Sequence, residues 1–206
     1  HISFFCEPVG GMGTLVKYAW QPAEWCVDTV APSQTDAQLG RPGLPNETTL
    51  AVDRHGIPTV GFLNHIGWSV RYIALAQPTL RGWTSVWKLG SPQSWSAWVD
   101  FDAENAARVA YDWNGCECEG CVDYYDDRSQ EAIRISVCTF ESRKSVKMLA
   151  LDDSDWPHIV YISCPVNNAW LSWSNSRITY VWQGPGGWHT EDLEFLGPVG
   201  GDSASA

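Results

Sequence analysis

A short apolar strand ending in an aromatic occurs four times along the chain, as His1-Ile2-Ser3-Phe4, Thr59-Val60-Gly61-Phe62, Arg108-Val109-Ala110-Tyr111 and His158-Ile159-Val160-Tyr161. Each is followed by a segment reading apolar, polar, aromatic: Val16-Lys17-Tyr18, Val70-Arg71-Tyr72, Val122-Asp123-Tyr124 and Leu171-Ser172-Trp173. The first positions lie about 58, 49 and 50 residues apart. That spacing is too long for a hairpin and matches a four-stranded unit repeated around an axis.

A further strand precedes three of the copies: Thr49–Asp53, Trp98–Asp102 and Met148–Asp152, each closing on an aspartate where a turn is expected. A fourth strand opens at Trp25, Trp83 and Trp188, with Ile135 in the third copy. Four short strands with period-two alternation make a sheet that one unit cannot bury alone, and stacking successive sheets around a centre buries both faces. The expected fold is an all-β propeller of four-stranded blades, about four of them present. Blades are expected at 1–47 (partial), 48–95, 96–145 and 146–195, and 196–206 reads as a Gly/Pro/Ser-rich tail.

The first copy lacks its inner strand, and the tail is too rich in glycine, proline and small residues to supply it. Three sources are ranked in order: residues ahead of His1, a second chain, or a partner paired with the edge of an open arc. A homo-oligomer or an additional segment completing the first blade is therefore expected.

A formal net charge of −11 disfavours nucleic acid and a bare anionic membrane. No apolar run is long enough to insert as a spanning helix, and the N-terminal residues lack a signal-peptide profile. Seven cysteines suggest an oxidising compartment, so a secreted or cell-surface setting is expected. Asn46-Glu47-Thr48 is a glycosylation acceptor in a Pro/Gly-rich insertion, which fits.

The cysteines of Cys116-Glu117-Cys118-Glu119-Gly120-Cys121 lie close enough to hold zinc with Asp112 or Asp123. The favoured reading cross-links Cys116 to Cys121 while Cys118 reaches another cysteine, such as Cys164 or Cys138; Cys6 and Cys26 could also pair. Asp53, Asp102 and Asp152 could coordinate calcium, but none of their loops follows the twelve-residue calcium pattern. Each is expected instead to accept backbone hydrogen bonds within its own turn, with no cofactor required.

Thirteen tryptophans in 206 residues are the compositional outlier. Those at repeat-equivalent strand positions are expected to pack blades. Trp68, Trp113, Trp156 and Trp170 fall in or beside loops and turns, where an indole can meet the apolar face of a sugar or a partner's side chain. No phosphate loop, nucleophile elbow or Ser-His-Asp order emerges, and the separation of two catalytic carboxylates cannot be read from sequence.

The run Asp53-Arg54-His55-Gly56-Ile57-Pro58-Thr59-Val60-Gly61-Phe62, then Val70-Arg71-Tyr72 and Gly82-Trp83, resembles the sialidase-like propeller repeat of secreted prokaryotic proteins. The resemblance covers residues 1 to about 195. The family's Ser-x-Asp-x-Gly-x-x-Trp turn survives only as Gly82-Trp83 and Gly187-Trp188, and its Phe-Arg-Ile-Pro element is missing, so no catalytic residue carries over. Such blades serve sialidases, polysaccharide lyases, lectins and structural surface proteins alike. The resemblance and the tryptophans together lead to an expected non-catalytic module whose partner is a glycan or a surface protein. The alternatives are a surface or filament protein assembled by strand completion, and a fragment of a glycosidase or lyase.

Overall fold

The computed structural model describes residues 2–6, 15–20, 26–32, 48–66, 70–89, 96–115, 118–136, 142–167, 170–171 and 176–196. The chain is an all-β propeller of antiparallel sheets. Among the described residues blade one has three strands, β1 (Ile2–Cys6), β2 (Leu15–Trp20) and β3 (Cys26–Pro32), with none described in the innermost place. Blade two runs β4 (Thr49–Val52), β5 (Pro58–Ile66), β6 (Val70–Thr79) and β7 (Gly82–Leu89). Blade three runs β8 (Ala97–Phe101), β9 (Ala107–Gly115), β10 (Cys118–Asp126) and β11 (Glu131–Arg134). Blade four runs β12 (Ser142–Leu151), β13 (Pro157–Asn167), β15 (Ser176–Gly184) and β16 (Gly187–Leu196), with the short β14 (Trp170–Leu171) paired to β13 off the main path.

The four aromatics of the first motif take matching places. Phe4, Phe62, Tyr111 and Tyr161 oppose Lys17, Ala74, Asp123 and Thr179 on the next strand of their own sheets. Phe62, Tyr111 and Tyr161 are buried, each in the apolar core shared with the preceding blade. Burial of such a ring stabilises the joint by about 1.5–3 kcal/mol.

The second motif is corrected in two blades. Counting from the paired aromatic, the position held by Tyr18 and Tyr124 belongs to Leu75 in blade two, not Tyr72. In blade four it belongs to Tyr180, not Trp173, because Leu171 lies in β14 and the third strand begins only at Ser176. The tryptophans explain why leucine suffices at the second joint. Trp83 of blade two meets Tyr18 of blade one edge-on, with ring centroids 5.1 Å apart, and Trp188 of blade four meets Tyr124 of blade three at 5.3 Å. Blade three has no tryptophan in β11. Leu75 therefore packs among Val99, Val109 and Tyr111 instead.

Gly61 faces the same joint. A Cβ there would stand 2.4 Å from Thr49 Cγ2 and 3.2 Å from Leu75 Cδ2, so the close approach of β4 requires glycine.

Two expected cross-links are not made. Neither Cys26 nor Cys164 is disulfide-bonded, which excludes the pairs Cys6 with Cys26 and Cys118 with Cys164. Cys164 is buried and accepts a hydrogen bond from Ser176 Oγ at 3.3 Å, behaving as a small core residue. Cys121 is fully buried and disulfide-bonded. Its partner lies beyond the described side chains, as do Cys6, Cys116, Cys118 and Cys138.

Candidate functional site

The three aspartate-closed turns are built alike. In each, Oδ1 accepts two backbone N–H groups: His55 and Ile57 at Asp53 (both 2.8 Å), Glu104 and Ala106 at Asp102 (both 2.9 Å), and Ser154 and Trp156 at Asp152 (2.8 and 2.9 Å). The third residue after each aspartate donates its N–H to the aspartate carbonyl and adopts a left-handed conformation: Gly56 (φ 79°), Asn105 (φ 69°) and Asp155 (φ 62°). Glycine, asparagine and aspartate are the residues that tolerate this region.

The left-handed residue also reaches the turn before its own. Asn105 Oδ1 accepts from Arg54 N at 3.3 Å while its Nδ2 donates to Asp53 Oδ2 at 2.9 Å, and Asp155 Oδ1 accepts from Ala103 N at 2.7 Å. Arg54 and Ala103 hold the same place, one residue past the aspartate. The turns are thus hydrogen-bonded in series across the blades.

Charge is concentrated at the middle turn. Asp102 Oδ2 is fully buried and accepts from Arg108 Nη2 and Arg128 Nε, both at 2.8 Å, while Arg108 Nη1 also pairs with Asp126. Burial would raise the Asp102 pKa, but hydrogen bonds from Ala106 N, Arg128, Glu104 N and Arg108 outweigh it and hold it below the ordinary value. At Asp53, too, burial is outweighed, by the Asn105 amide and the turn N–H groups. Asp152 is held down by the Trp156 and Ser154 N–H groups and by His158.

Between blades two and three these turns open a cleft of about 320 Å³. The Phe101 ring and Leu75 supply apolar surface, and Asp53, Thr59, Gln77, Asn105 and Asp127 supply polar atoms. Gln77 Nε2 donates to Thr59 Oγ1 at 2.9 Å, and Asp127 Oδ1 accepts from Gln130 Nε2 at 2.6 Å, so the polar groups are oriented before any ligand arrives. The volume lies at the lower end of the range for small-molecule sites.

Trp156 is half-buried within the Asp152 turn, in the same row of turns. Trp113 lies on β9 and Trp170 on β14, with side chains outside the described residues, and Trp68 and Asn46 fall outside altogether. Of the cleft residues only Asp53 is a candidate site residue in the sequence, because the cleft exists only where two blades meet.

Asp100 and Asp123 behave differently from the turn aspartates. Burial raises both pKa values, opposed at Asp100 by hydrogen bonds from Phe101 N and Leu151 N and at Asp123 by Arg134. Neither lines the cleft. Burial also pushes Tyr111 and Tyr124 up to about 12, so both phenols stay protonated in the joints. Among the described residues no group of three or more His, Cys, Asp or Glu side chains is placed to hold a metal ion.

The fold is similar to that of an endo-arabinase from Bacteroides thetaiotaomicron, with a TM-score of 0.52 and 8% sequence identity over 93% of this chain and 80% of that one. At that identity the likeness is one of fold. No protein-family model and no curated protein matches the chain.

Proposed function

We propose that this propeller is an extracellular, non-catalytic recognition module that binds carbohydrate in the cleft between blades two and three. The observation that carries the reading is the lining of that cleft, which combines the Phe101 ring and aliphatic side chains with pre-oriented amide, hydroxyl and carboxylate groups. A sugar ring presents an apolar face and a rim of hydroxyls, and this lining complements both. The sialidase-like repeat and the fold shared with a protein named an endo-arabinase support the same ligand class.

Binding is favoured over cleavage by the state of the acids. Hydrolysis of a glycosidic bond calls for a carboxylic acid of raised pKa beside a second carboxylate. In the cleft, Asp53 is held ionised by turn hydrogen bonds and Asn105. The described acids of raised pKa, Asp100 and Asp123, stand elsewhere, bound to backbone N–H groups and to Arg134.

A glycan array followed by calorimetry on the intact chain tests the proposal. Binding should fall at least tenfold in Phe101→Ala and in Gln77→Ala, with circular dichroism checking that each variant keeps the native fold. Binding untouched by both but lost in Trp113→Ala or Trp170→Ala would move the site to the loop tryptophans. Turnover of the bound polysaccharide would replace the reading with an enzymatic one.

A further inference from the structure

The turn aspartates Asp53, Asp102 and Asp152 are built alike, yet only Asp53 has no basic side chain six residues on. At that place, the second position of β5, β9 and β13, stand Thr59, Arg108 and His158. In blade three Arg108 Nη2 meets Asp102 Oδ2 at 2.8 Å, and in blade four His158 Nε2 meets Asp152 Oδ2 at 3.3 Å. In blade two the same oxygen, Asp53 Oδ2, receives the neutral Asn105 amide instead, at 2.9 Å. Asp53 makes no ion pair among the described residues, although it is only 7% exposed.

The loss of charge extends to the next strand. Arg108 pairs in register with Asp126 and forms an ion pair with it, whereas Thr59 bonds to Gln77 at 2.9 Å. Gln77 holds the register place of Asp126, one residue beyond the pairs Val60 with Ala76 and Val109 with Tyr125. Threonine and glutamine together are smaller than arginine and aspartate, and Asp53, Thr59 and Gln77 all line the cleft. The cleft thus lies where the neighbouring blade carries a guanidinium.

Its lining contains two carboxylates, Asp53 and Asp127, and no basic side chain. Arg108 and Arg128 are taken up by Asp102, Asp126, Glu104 and Asp155. His55 belongs to the Asp53 turn but is exposed and outside the lining. Asp127 Oδ1 accepts from Gln130 Nε2, and Asp127 too makes no ion pair among the described residues. Two carboxylates in one cleft repel each other and any anionic ligand, and a bound cation offsets both.

We propose that the sugar bound in this cleft carries a free, protonated amine, which takes at Asp53 and Asp127 the role that the Arg108 guanidinium takes at Asp102. The ligand class is an amino sugar with an unacetylated nitrogen. An ammonium group offers three donors and no acceptor, which suits two carboxylates, and the Phe101 ring adds a surface that attracts cations. Acetylation removes the charge, and a uronic or sialic acid reverses it, so neither meets the need of the cleft. The inference rests on the reading of the cleft as a sugar site and adds Asp127 as the residue that selects the ligand's charge.

Calorimetry at about pH 6, below the usual range of amine pKa values, tests it. The probes are glucose- and galactose-configured oligosaccharides that differ at one ring carbon, which bears an amine, an acetamide or a hydroxyl. The amines should bind about tenfold or more tightly than both counterparts. Asp127→Asn should abolish that preference and leave the affinity for the hydroxyl forms within about twofold of the wild type. Thr59→Arg, which returns blade two to the pattern of blade three, should abolish amine binding while circular dichroism stays native. Equal affinity for the three forms, or tighter binding of an acidic sugar, would overturn this inference and leave the sugar reading standing. So would an amine preference that survives Asp127→Asn. Absence of binding by every sugar would overturn both readings, and a lysine-rich peptide bound as tightly as the amino sugars would replace the sugar with a protein partner.

Discussion

The side chain of Asn105 joins two blades: its amide nitrogen donates to Asp53 Oδ2 at 2.9 Å, and its carbonyl oxygen accepts from Arg54 N at 3.3 Å. The same residue sits at φ 69°. Replacing it therefore separates a backbone effect from an inter-blade one. Asn105→Ala should lose both, about 2 kcal/mol in total, and Asn105→Gly should recover the backbone part. Denaturant midpoints for the two variants, combined with Asp53→Ala in a double-mutant cycle, measure the inter-blade share.

Acid should weaken the fold through Asp102. Its folded-state pKa lies below the unfolded value, so its stabilisation is complete above about pH 4 and is lost as pH falls through the folded pKa. Asp100 and Asp123 act with the opposite sign, since their raised pKa values make the folded state the better proton acceptor. Asp102→Asn should therefore flatten the decline in stability between about pH 4 and 2. At pH 7, Asp102→Ala should destabilise by about 3–5 kcal/mol, because Arg108 is left buried with half of its charge partners. Urea melts across pH check both.

Gly61 and Thr49 should behave as a size-matched pair. Gly61→Ala places a methyl on Thr49 Cγ2 and should cost about 1–3 kcal/mol. Thr49→Ser removes that methyl and keeps the hydroxyl that accepts from Val99 N at 3.5 Å. The double variant should regain most of the loss in a thermal melt, and equal losses in single and double variants would count against the close approach.

What was legible in the sequence follows from the range of the interactions. The Phe4, Phe62, Tyr111 and Tyr161 strands and the Asp53, Asp102 and Asp152 turns are local patterns, and each appears where the spacing places it. Tyr72 misled because the joint beyond it has no tryptophan to receive, so an aliphatic Leu75 occupies the site and the nearest aromatic is three residues early. Trp173 misled because the chain pairs β14 back on β13 before the third strand begins. The cleft stayed invisible for a related reason: Asp53 and Asn105 are 52 residues apart and meet only when blades stack.

Stacked blades joined by a tyrosine and a tryptophan are the premise beneath all of this, and Tyr124 with Trp188 states it in one contact. A double-mutant cycle on Tyr124→Leu and Trp188→Leu, read from urea unfolding, measures their coupling. A value of about 0.5–1.5 kcal/mol is predicted, the range for edge-on aromatic pairs. Additivity of the two substitutions within about 0.3 kcal/mol would contradict the blade-to-blade register.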